Sequence, residues 1–234
     1  MMGGMISCAN DCDSANSNQD EHEGLCERYD INIGRWQSRS RLLIGRSFNT
    51  HCALGDYIYS FFGWWADDEY GRRQDSIEFL NAQDDISGRN AYWAMLDFDN
   101  EGDSFVSRLH PVIVPISDTE ILICGGKGDI DDIYDDPCYS DAYILDVEGK
   151  SIKLVSSELK LKGSKFAFLS FQNGCRVWEI DKIVFLAESQ NLLTEDVKMQ
   201  LVTYKRGDQE ASCLFEDSPV REDEDYELSQ CTIF

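Results

Sequence analysis

A short apolar run at 58–63 (IYSFFG) returns at 121–126 (ILICGG) and again at 183–188 (IVFLAE), the two intervals differing by a single position. Each copy has an aspartate just upstream, at Asp56, Asp118 and Asp181, where a hairpin turn would sit. The first turn reads Leu54-Gly55-Asp56: glycine supplies a backbone angle other residues resist, and Asp can bond its own backbone. A second strand-like segment follows each time, at 78–81 (EFLN), 143–146 (YILD) and 202–205 (VTYK). An earlier one is 27–30 (ERYD), with Trp36 a short way past its end. Runs this short, apolar and aromatic, fit buried strands better than helices. One such unit cannot bury its own faces. Its recurrence at a near-constant spacing therefore predicts stacked copies, as in a propeller or a related solenoid.

The repeated residues resemble the kelch repeat, whose blades carry an apolar strand ending in Gly-Gly, a strand ending near Tyr-Asp, and a Trp several residues on. Gly125-Gly126 matches the doublet in full, and Tyr29-Asp30 with Trp36 matches the second half. Gly63 keeps half a doublet, Ala187-Glu188 has lost it, and Gly3-Gly4 precedes Gly63 by nearly one repeat interval. Trp93 stands further past Asn81 than Trp36 does past Asp30. The resemblance implies an all-β fold: a kelch-like β-propeller of about four blades over residues 1–215, partial or open, with the chain starting inside a blade. The spacing exceeds the roughly 50 residues of that repeat, which implies long loops.

Composition narrows the function. Acidic side chains number 44 against 21 basic ones, a formal charge of −23, and that field repels phosphate backbones and anionic lipid headgroups. Nucleic acid is therefore not the expected partner, while basic proteins and cations remain open. No run of about 18 apolar residues occurs, so no transmembrane helix is expected. The nine cysteines are scattered, and Cys52, Cys124 and Cys175 fall in or beside apolar runs, as thiols in a reducing compartment do. A cytoplasmic protein is expected.

Residues 7–24 are rich in Asn, Asp and Ser and read as a long loop, and 216–234 read as an acidic, unfolded tail. Residues 84–107 hold Tyr92, Trp93, Met95 and Phe98 and should supply an outer strand.

The candidate sites each have a plainer alternative. Trp64, Trp65, Tyr70, Arg72 and Arg73 share one inter-strand loop, and aromatics with Arg anchor protein interfaces, although a tryptophan here could equally fill a contact between blades. Cys8, Cys12, His22 and Cys26 offer soft ligands for zinc, but their spacing is looser than a knuckle's, and the reading kept is a polar loop with no metal. Asp129, Asp131, Asp132, Asp135 and Asp136 offer oxygen ligands, but Ile133 and Tyr134 break the alternation a calcium loop needs. Cys231-Thr232-Ile233-Phe234 fits a prenylation pattern, which would give membrane anchoring, against an acidic upstream tail. Met2-Gly3 fits an acylation start only if translation begins at Met2. His51 and His110 are nearly one repeat interval apart and read as repeat-equivalent, hence structural.

No nucleophile elbow or P-loop occurs, so no catalytic residue and no cofactor is assigned. The expected function is a non-enzymatic scaffold whose loops face a protein partner. The resembled family includes members that recruit substrates to ubiquitin ligases or bind cytoskeletal proteins. Two alternatives stand beside it: an enzyme using a propeller cavity, of oxidase or sugar-isomerase type, and a truncated, non-functional kelch fragment. The repeat positions expected to be structural are Gly3, Gly4, Tyr29, Asp30, Trp36, Gly63, Gly125 and Gly126.

Overall fold

Strands dominate the computed structural model, which describes residues 6–7, 24–66, 71–87, 89, 91–100, 105–128, 138–160, 162, 170–177, 182–190, 197–205, 208 and 210–216. Among them are eighteen strands and one short helix, so the chain is all-β. It divides into two units, Met1–Asp97 and Phe98–Phe234.

In the first unit, β1 (Ile6–Ser7), β2 (Cys26–Asp30) and β3 (Arg35–Arg39) form an antiparallel sheet in that order. A second sheet has the order β4 (Thr50–Leu54), β5 (Tyr57–Phe61), β8 (Ile77–Asn81), β9 (Ala94–Met95). Between β5 and β8 the chain leaves to make a hairpin of β6 (Trp64–Ala66) and β7 (Gly71–Arg73). The two-residue turn joining β4 to β5 is Gly55-Asp56, with Gly55 at φ +58°. Helix α1 (Ala82–Ile86) starts where the Asn81 side chain accepts from the backbone N–H groups of Gln83 (2.9 Å) and Asp84 (3.1 Å). Cys26 and Leu42 pack with Leu80, Ala91 and Trp93 to join the two sheets, and Trp93 Nε1 donates to the Ser40 carbonyl at 3.0 Å. The outer strand expected from 84–107 is thus β9, beside the buried Trp93.

In the second unit one sheet runs β10 (Asp99–Asn100), β14 (Ser151–Ser156), β13 (Ala142–Asp146), β12 (Glu120–Cys124), β11 (Val112–Pro115). All its pairings are antiparallel except β10 with β14. The other is an antiparallel meander of β15 (Ser170–Val177), β16 (Lys182–Gln190), β17 (Val197–Tyr204) and β18 (Ser212–Glu216). Alternate residues of the two sheets meet in one core: Val112, Val114, Leu122 and Cys124 from the first, Ile183, Phe185, Ala187, Val202 and Tyr204 from the second.

The three Ile-led runs fall in β5, β12 and β16. Each pairs antiparallel with the strand before it and with the next strand of its own sheet. The recurrence in sequence is a recurrence in topology.

Candidate interaction site

The β6–β7 hairpin stands on a buried ion pair. Arg46 and Glu78 have side chains with no exposed surface, and Arg46 Nη2 bonds Glu78 Oε1. The rest of the guanidinium is also spent. Nε donates to the Ile44 carbonyl (3.1 Å), and Nη1 donates to the carbonyls of Phe62 (3.1 Å) and Ser76 (2.9 Å). Glu78 in turn accepts from the backbone N–H groups of Leu43 (2.6 Å) and Ile44 (3.2 Å). A buried charge survives only when it is neutralised and its hydrogen-bonding capacity is filled, and both conditions are met here. Phe62 and Ser76 are the points where the chain leaves β5 and re-enters β8, so Arg46 ties the hairpin's two ends together.

Gly63 comes next, at φ +103°. A Cβ there would lie 2.5 Å from the Ser47 carbonyl oxygen. That close approach lets Ser47 and Trp64 exchange backbone hydrogen bonds of 2.8 and 2.7 Å, and Gln74 donate to the Gly63 carbonyl at 2.8 Å. The hairpin register then sets Trp64 opposite Arg73 and Trp65 opposite Arg72. Four of the five expected partner-binding residues are thereby brought onto two adjacent strands. Tyr70 lies outside the described residues. Trp64 and Arg73 are half-buried.

The second unit repeats the device around Arg108. Nε donates to the Val106 carbonyl and Nη1 to the Gly125 carbonyl, both at 3.0 Å, and the guanidinium pairs with Asp141. Rings of Tyr139 (4.5 Å), Phe105 (5.0 Å) and Tyr143 (5.4 Å) surround it. Gly126, at φ +97°, lets Leu109 and Lys127 exchange backbone bonds of 2.9 and 2.8 Å, as Gly63 does for Ser47 and Trp64. The carboxylates do not sit at matching places. Glu78 lies inside β8, whereas Asp141 directly precedes β13.

Two residues past each arginine the backbone turns left-handed, at Phe48 (φ +55°) and His110 (φ +50°). His110 therefore corresponds to Phe48, and the equivalence with His51 expected from sequence is corrected. His51 lies in β4 opposite Ser60, the place Ile113 takes opposite Ile123. Burial first, and then the nearby Arg46 charge, lower the His51 pKa to about 4, and its Nδ1 has no hydrogen-bond partner. Burial and then Lys127 lower that of His110.

Tyr29 and Trp36 pack against each other across β2 and β3, with ring centroids 5.3 Å apart, and are 37% and 47% exposed. Asp30 caps the β2–β3 turn, accepting from the N–H groups of Asn32 (2.9 Å) and Ile33 (3.3 Å). Cys26 is buried, its thiol donating to the Gly24 carbonyl at 3.6 Å. Gly3, Gly4, Cys8, Cys12, His22, the aspartates of 129–136 and Cys231 lie outside the described residues. Sequence reading passed over Arg46, Glu78, Arg108 and Asp141. The signal was present in Arg46 and Arg108, which stand one repeat interval apart, each just ahead of a repeat. No protein-family model matches the chain, and no curated protein does.

Proposed function

We propose that this chain is a kelch-like, propeller-type scaffold of the cytoplasm that presents inter-strand hairpins to a protein partner and carries out no chemistry of its own. One observation supports it above others: Trp64 and Trp65 are set in register against Arg73 and Arg72 on a hairpin whose base Arg46 and Glu78 lock. Tryptophan and arginine dominate the energetics of protein interfaces, and a rigid base lowers the entropy a loop loses on binding. The same arrangement of arginine and left-handed glycine at Arg108 and Gly126 favours a repeated blade as the scaffold.

Affinity capture with the intact chain, followed by mass spectrometry, tests the reading. Trp65→Ala with Arg72→Ala should lose specific partners at an unchanged thermal midpoint. Recovery of the same partners at the same level would overturn it.

A further inference from the structure

Away from the β6–β7 hairpin, the first unit holds a cleft of about 760 Å³ between the β2–β3 turn, the β4–β5 turn and α1. Its lining includes Tyr29, Ile31, Tyr57, Ile58, Leu80 and Ile86. Among these Ile31 is 60% exposed, Ile86 40% and Tyr57 38%, so the apolar surface is open to an incoming group. The volume falls in the range of ligand pockets and accommodates one or two peptide side chains.

The charges along the cleft decide what fits. Two arginines line it, and both are engaged. Arg28 Nη1 bonds Asp85 Oδ2 at 2.7 Å and its Nη2 donates to Gln37 Oε1 at 3.1 Å, while Arg39 Nε lies 3.2 Å from Asp85 Oδ2. These contacts tie the β2–β3 hairpin to α1 and hold the cleft open. That cluster sets two arginines against one carboxylate. The other carboxylates on the cleft side are Asp30, which shares the Arg28 face of β2, and Asp56, while Glu27 alternates to the far face of the strand. Beside an apolar floor the lining thus carries a small excess of negative charge, inside a chain of net charge −23 that draws cations toward it.

We infer that this cleft docks a basic segment of a protein partner: an extended peptide that places an apolar side chain on Tyr57 and Ile86 and flanking Lys or Arg side chains beside Asp30 and Asp56. The inference rests on the scaffold reading and adds to it a second surface and the partner's chemistry.

The probe is a fluorescein-labelled peptide, Lys-Leu-Lys-Phe-Lys-Leu-Lys, titrated with the full-length chain and read by fluorescence anisotropy at two salt concentrations. Saturable binding is expected. Ile86→Ser should weaken it about fivefold with the salt response kept, because only an apolar contact is removed. Asp30→Asn with Asp56→Asn should weaken it about fivefold and flatten the salt response, Asp30→Asn keeping the side-chain oxygen that caps the β2–β3 turn. The same peptide with Glu in place of Lys should not bind. If both variants bind like the parent, the peptide is adsorbing to overall charge and the inference fails; equal binding of the Glu peptide overturns it as well. The Trp65→Ala, Arg72→Ala chain separates the two readings. Loss of partners by that variant, with no cleft binding of the peptide, removes the cleft and leaves the scaffold. Retention of partners, with peptide bound in the cleft, removes the hairpin reading alone.

Discussion

Arg46 and Glu78 are paired with neither side chain reaching solvent, whereas in the second unit's pair Arg108 is fully buried and Asp141 keeps 18% of its side chain exposed. The difference sets the order of two mutational costs. Arg46→Met strands the Glu78 carboxylate in the interior beside two backbone N–H groups, a loss of about 3–5 kcal/mol. Arg108→Met leaves an acid that water can reach, and about 1–3 kcal/mol is expected. Urea unfolding of the two variants measures both. A larger loss for Arg108→Met would contradict the burial argument.

Glycine substitutions should divide in the same structural terms. Gly126 sits at φ +97° with the Leu109 carbonyl oxygen 2.8 Å from where a Cβ would be, and Gly63 meets the Ser47 oxygen at 2.5 Å. Gly126→Val and Gly63→Ala combine a disfavoured backbone angle with a clash against backbone, and each should cost more than about 3 kcal/mol. Gly55, at φ +58°, has nothing within 4 Å of its Cβ position. Gly55→Asn should therefore cost less than about 1 kcal/mol, since asparagine tolerates that region. Thermal unfolding of the three variants checks the ranking. An unchanged midpoint for Gly126→Val would remove the close approach that joins Leu109 to Lys127.

The strands were legible because their apolar runs recur, and Ile58, Ile121 and Ile183 led directly to β5, β12 and β16. The all-β class followed from the same runs. The two arginine clamps were not legible, for two physical reasons. A buried ion pair joins positions far apart in the chain, Arg46 with Glu78 and Arg108 with Asp141, which no local periodicity reveals. The two turns ahead of β5 and β12 also differ in length, so one constant offset cannot align both arginines and both glycines. The match of His51 to His110 is a larger slip, since those two stand three positions closer together than Arg46 and Arg108, the interval that carries Phe48 onto His110. The carboxylate moves between repeats as well: Glu78 pairs across to Ser60, while Asp141 lies just outside the paired segment. Arg28, Asp85 and Arg39 escaped notice because helix α1 is little more than one turn long and has no apolar stripe of its own.

Thiol reactivity should follow burial. Cys138 and Cys213 are exposed, whereas Cys26 and Cys124 are buried. Burial pushes the Cys124 thiol up to about 12, against the pull of Arg108 and with some help from Asp141, and burial raises Cys52 too. The thiolate is the reacting species, so Cys138 and Cys213 should alkylate at least about tenfold faster than Cys26 and Cys124 in the folded chain. Peptide mapping after a short iodoacetamide pulse reads this directly. Arg108→Met should keep Cys124 in the slow class, because it removes the one charge that favours the thiolate there. Rapid labelling of Cys124 in the parent chain would show that the core of the second unit is not closed.

The pH dependence of the first unit should carry the mark of His51. Its pKa falls from 6.5 in the unfolded chain to about 4 when folded, through burial first and the Arg46 charge second. Between those values the unfolded chain binds a proton that the folded one refuses, so folding weakens as pH drops from about 6.5 toward 4 and levels off below. Above pH 6.5 both states are neutral and the effect is absent. Between pH 7 and pH 5 the loss should be on the order of 1–2 kcal/mol, discounted for the part of the ring that water reaches. Carboxylates also titrate toward acid, so the informative quantity is a difference. His51→Gln keeps a polar side chain at the site and removes the titration, and its stability should fall less than the parent's over that interval. Urea unfolding at the two pH values decides it: parallel losses in the two proteins would mean that His51 takes up its proton in the folded state, which a buried ring near the Arg46 charge should resist.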